Sequence, residues 1–310
     1  MTRRRLPRAD AASLDGQVLL SGEIAYDTDN AVPLFGDGLT VGGRRARGRE
    51  RWHIFDVIPA RHHTAILNYS TAVDVSAWLQ DALDEPGLDL ELCGLLYASG
   101  VTQSQAGQRI FAHGRVQLKK SANGVVLTLN GSNVEMNGIE VRGDAATPVF
   151  TGDNIVATGV ETSFINCSSR WAAGRALKAT GNAVMIMGRR GIWQTADQTA
   201  TGYDIEIGQT GLATLYHVIQ GYRSSQATGG IKLVGVGAAS LTDGQFGKLT
   251  IDAGGNPAGS NGGMTSNCRI LGNVSVGLSG AAFACNQFGD ITLTLEAGTS
   301  GCDLGVSNTF

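Results

Sequence analysis

From about Leu95 to the C-terminus, apolar residues alternate with polar ones in runs of three to five, each ended by Gly, Asn, Asp or Ser. A period of two puts the apolar set on one face of a strand. Gly, Asn and Asp supply the turns between such strands. The pattern predicts many short strands and no helix in this part. One earlier stretch follows the other period. VDVSAWLQDALDEPG (residues 73–87) carries Val75, Trp78, Leu79 and Leu83 at helical spacing, with Asp74 placed as N-cap and Pro86-Gly87 as the stop. It is the one helix predicted. Asp81, Asp84, Glu85, Asp89 and Glu91 make its outer side acidic. Such a cluster can bind a cation; a solvated helix face has the same pattern. Ahead of it, EIAYDTD and FGDGLTVGG read as short strands between tight turns.

Internal repetition decides what the strands build. NGSNVEMNGIEVRG (from Asn130), TGDNIVATGVETSF (from Thr151) and TGNAVMIMGRRGIW (from Thr180) each open on a polar residue and Gly, then show two short strands broken by Gly. Aligned this way, Gly131, Gly152 and Gly181 stack. CRILGNVSVGLSG (from Cys268) matches CNQFGDITLTLEAG (from Cys285) at a 17-residue period, which Cys302 continues. Repeats of about 17 to 29 residues built from strands predict a parallel β-solenoid, whose coils share one core, with the three cysteines as an interior ladder. A β-sandwich also has short strands but does not require repetition.

Composition agrees. Gly is 44 of 310 residues, Pro only 6, and charged residues are 16%, which fits a strand-rich fold with many tight turns. A net charge of −3 argues against a nucleic-acid partner. The charge is uneven: residues 1–61 hold ten Arg, five of them in RRARGRER (Arg44 to Arg51). That cluster could hold phosphate, meet an acidic protein partner, or be a solvated loop. No run of 18 apolar residues exists, so no membrane insertion is expected. MTRRRLPRAD is basic but no apolar segment follows, so no secretory signal is read and synthesis in a cytoplasm is expected. Five widely spaced cysteines (93, 167, 268, 285, 302), with no CxxC, read as reduced buried thiols and not as a metal site.

GEIAYDTD…FGDGLTVGG resembles the N-terminal repeat of bacteriophage tail-fibre and tailspike proteins, at Gly22, Glu23, Ile24, Tyr26, Asp27, Thr28, Gly36, Asp37, Gly38, Thr40, Gly42 and Gly43. It departs from that pattern at Ala31-Val32-Pro33-Leu34-Phe35, where phage versions place a basic or polar strand residue. VDVSAWLQDALDEPG is similar to the short helix that opens right-handed β-helices of the pectate-lyase-like superfamily; the usual Asp-Asp-Thr start is partly kept as Asp74-Val75-Ser76. The resemblance implies an all-β chain: a small N-terminal β-rich attachment domain (1–61), a junction with one capping helix (62–94), and a right-handed parallel β-helix facing a receptor (95–310). It implies a homotrimer carried on a virion, docked on tail or head structural proteins through Glu23, Tyr26, Asp27, Asp37, Arg44 and Arg45. It implies action at a bacterial surface on polysaccharide; the residues themselves show no metal-ligand spacing, and no cofactor and no metal are expected.

Many tailspikes cleave glycans with paired carboxylates. Inversion needs about 6.5–9.5 Å between them and retention about 5–5.5 Å. In YDIEIG, Tyr203, Ile205 and Ile207 are expected inward, leaving Asp204 and Glu206 on one outer face as the catalytic candidates. Asp197 is near in sequence, and Asp153 and Glu161 could flank a groove between chains. Glu140 and Arg142 read as a surface pair of little energy. His53, His62, His63, His113 and His217 are scattered; His62-His63 could meet a metal on a trimer axis or be a solvated pair. Binding without cleavage needs aromatics for sugar faces and polar groups for hydroxyls. Trp171, Trp193, Tyr203, Tyr216, His217, Tyr222 and Arg223 fall mid-rod, where coil lengths are irregular. Receptor contact is therefore expected at Arg189, Arg190, Trp193, Tyr203, Tyr222 and Arg223, although Trp193 and Tyr203 also read as core. Terminal Phe310 suits a trimer tip or a last strand equally.

Overall fold

The computed structural model describes residues 8–9, 24–27, 32–35, 44–45, 51–70, 72–86, 88–143, 149–188, 191–195, 203–209, 217–223, 229–236, 239–252, 264–266, 268–270, 274–276, 282–284, 286–288 and 293–295. In the first part, Arg8–Ala9 pairs in parallel with Ile24–Asp27, which runs antiparallel to Val32–Phe35, itself antiparallel to Arg44–Arg45. The rest is a parallel β-solenoid with three stacks of strands.

Each coil visits three faces in turn. The first face is the leading part of Asp89–Ala98, Arg109–Lys120 and Glu135–Arg142, continued by Ser163–Ile165, Met185–Met187, His217–Gln220, Ala239–Thr242, Met264–Ser266 and Ala282–Ala284. At a corner the chain turns onto the second face. This holds residues 94–98, 116–120 and 139–142, then Ser168–Ala172, Trp193–Thr195, Gln245–Phe246, Arg269–Ile270 and Gln287–Phe288. Single bridges from Ile192 to Arg223 and from Arg223 to Gln245 join its two ends. The third face is a sheet of nine parallel strands, from Val101–Gln103 to Leu293–Leu295.

Alternation builds the core as the sequence predicts. Leu90, Ile110, Met136, Phe164, Ile186, Ile219 and Leu241 form one interior column, and Leu127, Ile155, Leu177, Ile205, Ile231 and Leu249 another; all are buried. Each such side chain withdrawn from water contributes about 1.5–3 kcal/mol. The coils differ in length, 28 residues from Leu127 to Ile155 but 18 from Ile231 to Leu249, so loops absorb the irregularity while strands stay in register.

The repeat phase differs from expectation. Gly131 stacks under Gly159, and Gly159 under Gly181; a Cβ on either upper glycine would lie 1.9 Å from the carbonyl oxygen below. Gly152 belongs to another column, over Gly124. The register also departs by one residue from the 17-residue alignment that predicts the cysteine ladder. Arg269 pairs with Gln287, so Cys268 lies over Asn286, whose Oδ1 accepts from the Cys268 amide at 3.0 Å. Cys285 and Cys302 lie outside the described residues. A one-residue slip separates the two alignments, and in a strand that swaps interior for exterior. Burial pushes the Cys167 thiol up to about 12 and the Cys93 and Cys268 thiols up to about 11.

The predicted helix forms over Ser76–Asp84 and buries Leu79, Ala82 and Leu83. Asp74 Oδ1 accepts from the Ser76 amide at 2.9 Å, although Val75 occupies the capping position. Gln80 covers the open edge of the third face: its Nε2 donates to Thr102 O and its Oε1 accepts from Thr102 N, both at 2.8 Å. An edge strand's unpaired backbone is thereby satisfied. A second helix, His63–Leu67, was not predicted; five residues with one buried apolar side chain, Ile66, leave no periodic signal.

Two buried polar groups tie coils together. Lys120, 1% exposed, donates from Nζ to the carbonyls of Thr151, Gly152 and Asp153 at 3.1, 2.9 and 3.2 Å. His217 is buried, accepts on Nδ1 from the Val184 amide at 3.3 Å, and has its pKa lowered by burial to about 4.

Candidate functional site

The expected carboxylate pair does not share an outer face. Ile205 and Ile207 do point inward, and Glu206 outward. Asp204, however, is fully buried just before the strand. Its Oδ1 accepts from the Thr195 amide at 2.7 Å and its Oδ2 from the Tyr222 hydroxyl at 2.8 Å. A carboxylate that satisfies a strand-end amide and a buried hydroxyl is a structural anchor. Glu206 instead meets Arg175, whose Nη1 lies 3.0 Å from Oε1, while its Nη2 lies 3.1 Å from Asp153 Oδ2. One guanidinium thus neutralises both acids. Glu161 stands at a left-handed turn position with φ of 60°. Asp197 lies outside the described residues.

The expected receptor residues divide in the same way. Trp193 is buried, edge-on to Phe164 at 5.6 Å, and Tyr222 is buried on Asp204. Both are core, because each stands at an inward position of its coil. Tyr203 is half-buried; its hydroxyl lies 2.7 Å from Thr250 Oγ1, and Lys248 Nζ lies 4.2 Å from the ring centre. Arg223 is exposed and lines a corner groove of about 700 Å³ with Asn166, Gln220 and Asp243. Arg189, Arg190 and Tyr216 lie outside the described residues. So do Glu23, Asp37 and Phe310; Tyr26, Asp27, Arg44 and Arg45 are strand residues of the N-terminal sheet.

The junction histidines take separate partners. His62 Nε2 accepts from Arg61 Nε at 3.1 Å, while His63 stacks on Phe55 at 4.0 Å and contacts Ile58 O at 2.7 Å. Among the described residues no group of three or more His, Cys, Asp or Glu is placed to hold a metal ion. None of the described helices is long and apolar enough to cross a membrane.

Two surface assemblies were not foreseen. On the first coils of the first face, a groove of about 660 Å³ is lined by Arg51, Asp89, Arg109, Phe111, Glu135 and Asn137. Arg51 lies 3.6 Å over the Phe111 ring, and Arg109 pairs with Asp89. Asp89, Arg109 and Glu135 occupy one outward column on adjacent rungs. His113 Nδ1 meets Glu91 Oε1 at 2.9 Å nearby. Alternation in DLELC, RIFAH and EMNGI predicts that these side chains face out, but not that they meet. On the second face, Glu140 is more than half of a pair. Its Oε1 lies 3.6 Å from Arg142 Nε and 3.8 Å from Arg170 Nε, and its Oε2 accepts from Gln117 Nε2 at 2.8 Å. The Arg142 guanidinium lies 4.0 Å over the Trp171 ring.

No protein-family model matches the chain, and none of the curated proteins does. Solved structures do match. The tailspike gp49 of Acinetobacter baumannii bacteriophage Fri1, a capsular polysaccharide depolymerase, is similar over 99% of this chain and 76% of its own, at 13% identity and a TM-score of 0.53. ORF18 of Geobacillus virus E2 matches over 99% and 74%, at 12% identity and a TM-score of 0.40. The enzymatically active domain of tailspike protein 2 of bacteriophage CBA120 matches over 96% and 52%, at 12% identity and 0.44. At a TM-score of 0.53, the match to the Fri1 tailspike shows that the two share the β-solenoid fold.

Proposed function

We propose that this chain is a spike or fibre protein of a phage or phage-like particle. Its β-solenoid binds polysaccharide on a bacterial surface. Residues 1–61 dock on tail or head proteins of the virion, and three copies associate. The observation that carries this reading is the solenoid itself, aligned over 99% of the chain with the Fri1 spike. The grooves on its outer surface supply the rest: the groove of the first coils sets polar side chains beside the Phe111 ring, and the corner groove offers polar side chains for sugar hydroxyls. We assign receptor contact to the corner groove of Asn166, Gly188, Gln220, Arg223 and Asp243; the expected residues Arg189 and Arg190 directly follow Gly188 in sequence. Light scattering behind gel filtration tests the assembly. A mass near three times 32.3 kDa is expected, and a monomer sinks the trimeric spike.

One observation favours a second reading, a glycan depolymerase. Asp89 and Glu135 flank Arg109 in the groove of the first coils, two rungs apart or about 9.6 Å. Inverting hydrolysis needs about 6.5–9.5 Å between the carboxyl groups themselves, and this backbone spacing lies just beyond that range. The test is the size of a purified capsular polysaccharide after incubation. Shortening by the wild type that is lost in Asp89→Asn and Glu135→Gln establishes cleavage, while unchanged size leaves binding alone.

A further inference from the structure

The second face answers which polysaccharides fit. Its register sets Tyr97 beside Lys119, Lys119 beside Arg142, and Arg142 beside Arg170, one per rung. The adjacent column runs from Gln117 through Glu140 and Ser168 to Ile192, Arg223, Gln245 and Arg269. Arg115 stands beside the first coils, over the Tyr69 ring at 5.5 Å. Among the described residues, six cations thus share this face with one carboxylate, Glu140, and Asp243 at its corner, in a chain whose net charge is −3. The Nε groups of Arg142 and Arg170 make no hydrogen bond. Burial lowers the Arg142 pKa; Glu140 offsets this only in part, and Arg170 and Arg115 lower it further. Among the described residues, Glu140 is the one anion set between Arg142 and Arg170.

Backbone strain points to the same place. Trp171 has φ of 56° inside a strand, a conformation that bulky residues rarely adopt. The register explains it. Ser169 pairs with Trp193 and Ala172 with Thr195, so three residues advance against two, and the extra one makes a bulge. The bulge turns the Trp171 ring over Arg142. The neighbouring strand accommodates it with Gly143, where a Cβ would lie 1.7 Å from the Trp171 carbonyl oxygen. A strained aromatic held over a guanidinium marks a working surface, since the core gains nothing from an outward ring.

We infer that the second face binds an acidic polysaccharide, one bearing carboxylates, laid along the solenoid axis. Sugar rings cover Trp171 and Tyr97, and carboxylates meet Lys119, Arg142 and Arg170. Rungs about 4.8 Å apart advance by roughly one sugar ring each, so a repeating acidic glycan meets a repeating row of cations. This rests on the polysaccharide-binding reading and narrows it.

The test is an array of defined bacterial oligosaccharides, some carrying uronic acids and others neutral. It is probed with the wild type, Arg142→Gln, the more exposed Arg170→Gln, and Lys232→Gln on the third face. Melting curves and solution masses confirm that each variant folds and assembles. Retention confined to carboxylated members, weakened by salt, falling about tenfold in the Arg142 and Arg170 variants and unchanged in the Lys232 variant, is expected. Neutral members bound as well as acidic ones, or binding undiminished in both arginine variants, overturns the assignment and leaves the spike reading standing. An altered mass in Arg170→Gln makes this face a subunit interface and also overturns it. Retention of no member at all overturns both readings.

Discussion

The second and third faces both rest on columns of buried aliphatic residues, with Lys120 and Ser169 as buried polar members under the second, and they differ most outside. Beneath both lie columns of buried aliphatic residues, Leu96, Leu118 and Val141 under one, Leu127, Ile155 and Leu177 under the other. On the third face the outward column reads Thr102, Thr128, Val156, Lys178, Glu206, Lys232 and Thr250. Its charges cancel: Glu206 stands between two lysines and holds Arg175, and Lys232 lies 3.7 Å from Asp252. On the second face the charges accumulate with one sign, and a bulge breaks the ladder. Interior columns specify the fold and tolerate many exteriors. An exterior with uncancelled charge and strained backbone is therefore where function is to be sought.

The comparison can be broken from the inside first. Gly159→Ala places a Cβ 1.9 Å from the Gly131 carbonyl oxygen, between the third and first faces. Backbone cannot yield there as a side chain would, so a loss of about 3 kcal/mol in denaturant unfolding is expected. Lys120→Met leaves three carbonyls without their ammonium and is expected to cost about 2–3 kcal/mol by the same measurement. Both act on the scaffold, and a loss under about 0.5 kcal/mol in either would contradict the packing described.

His217 gives a pH test of the first face. In the unfolded chain its imidazole takes up a proton near 6.5; in the folded chain it does so only near 4. Between these values the unfolded chain binds the extra proton. Stability is therefore complete above pH 6.5 and declines as pH falls towards 4, by up to about 3 kcal/mol. His217→Val, which matches Val134 and Val184 at the equivalent interior positions, is expected to flatten that part of the profile. An unchanged profile would show that other groups cause it.

Trp171→Gly separates the two faces by sign. Glycine adopts the left-handed conformation freely, so relief of strain offsets lost packing and stability changes by less than about 1 kcal/mol. Glycan retention is expected to fall with Trp171→Gly all the same. The smallest effect belongs to Lys232→Gln on the third face, within about 0.5 kcal/mol by thermal unfolding.

Much of this molecule was legible in its sequence. Alternating apolar residues and turn residues marked the strands, repetition marked the solenoid, and the spacing of Val75, Leu79 and Leu83 marked the helix. Register was not legible, because glycines recur in more than one column of the coil. Gly131 and Gly152 look equivalent in a row of letters, yet one sits over a strand end and the other beside a loop. The site was harder still. Asp204 alternates like an outward acid, but it precedes its strand and serves the amide at the end of another, Thr195. Trp171 reads as an ordinary strand residue, since a bulge depends on counting residues against the neighbouring coil. Lys119, Arg142 and Arg170 stand 23 and 28 residues apart and become one row only when the coils stack.

A crystal structure of the protein with a carboxylated oligosaccharide retained on the array tests the central claim most directly. The account predicts the sugar along the second face, a ring on Trp171 and carboxylates on Arg142 and Arg170. Sugar bound instead across Lys178, Glu206 and Lys232 on the third face, with the second face bare, would contradict it.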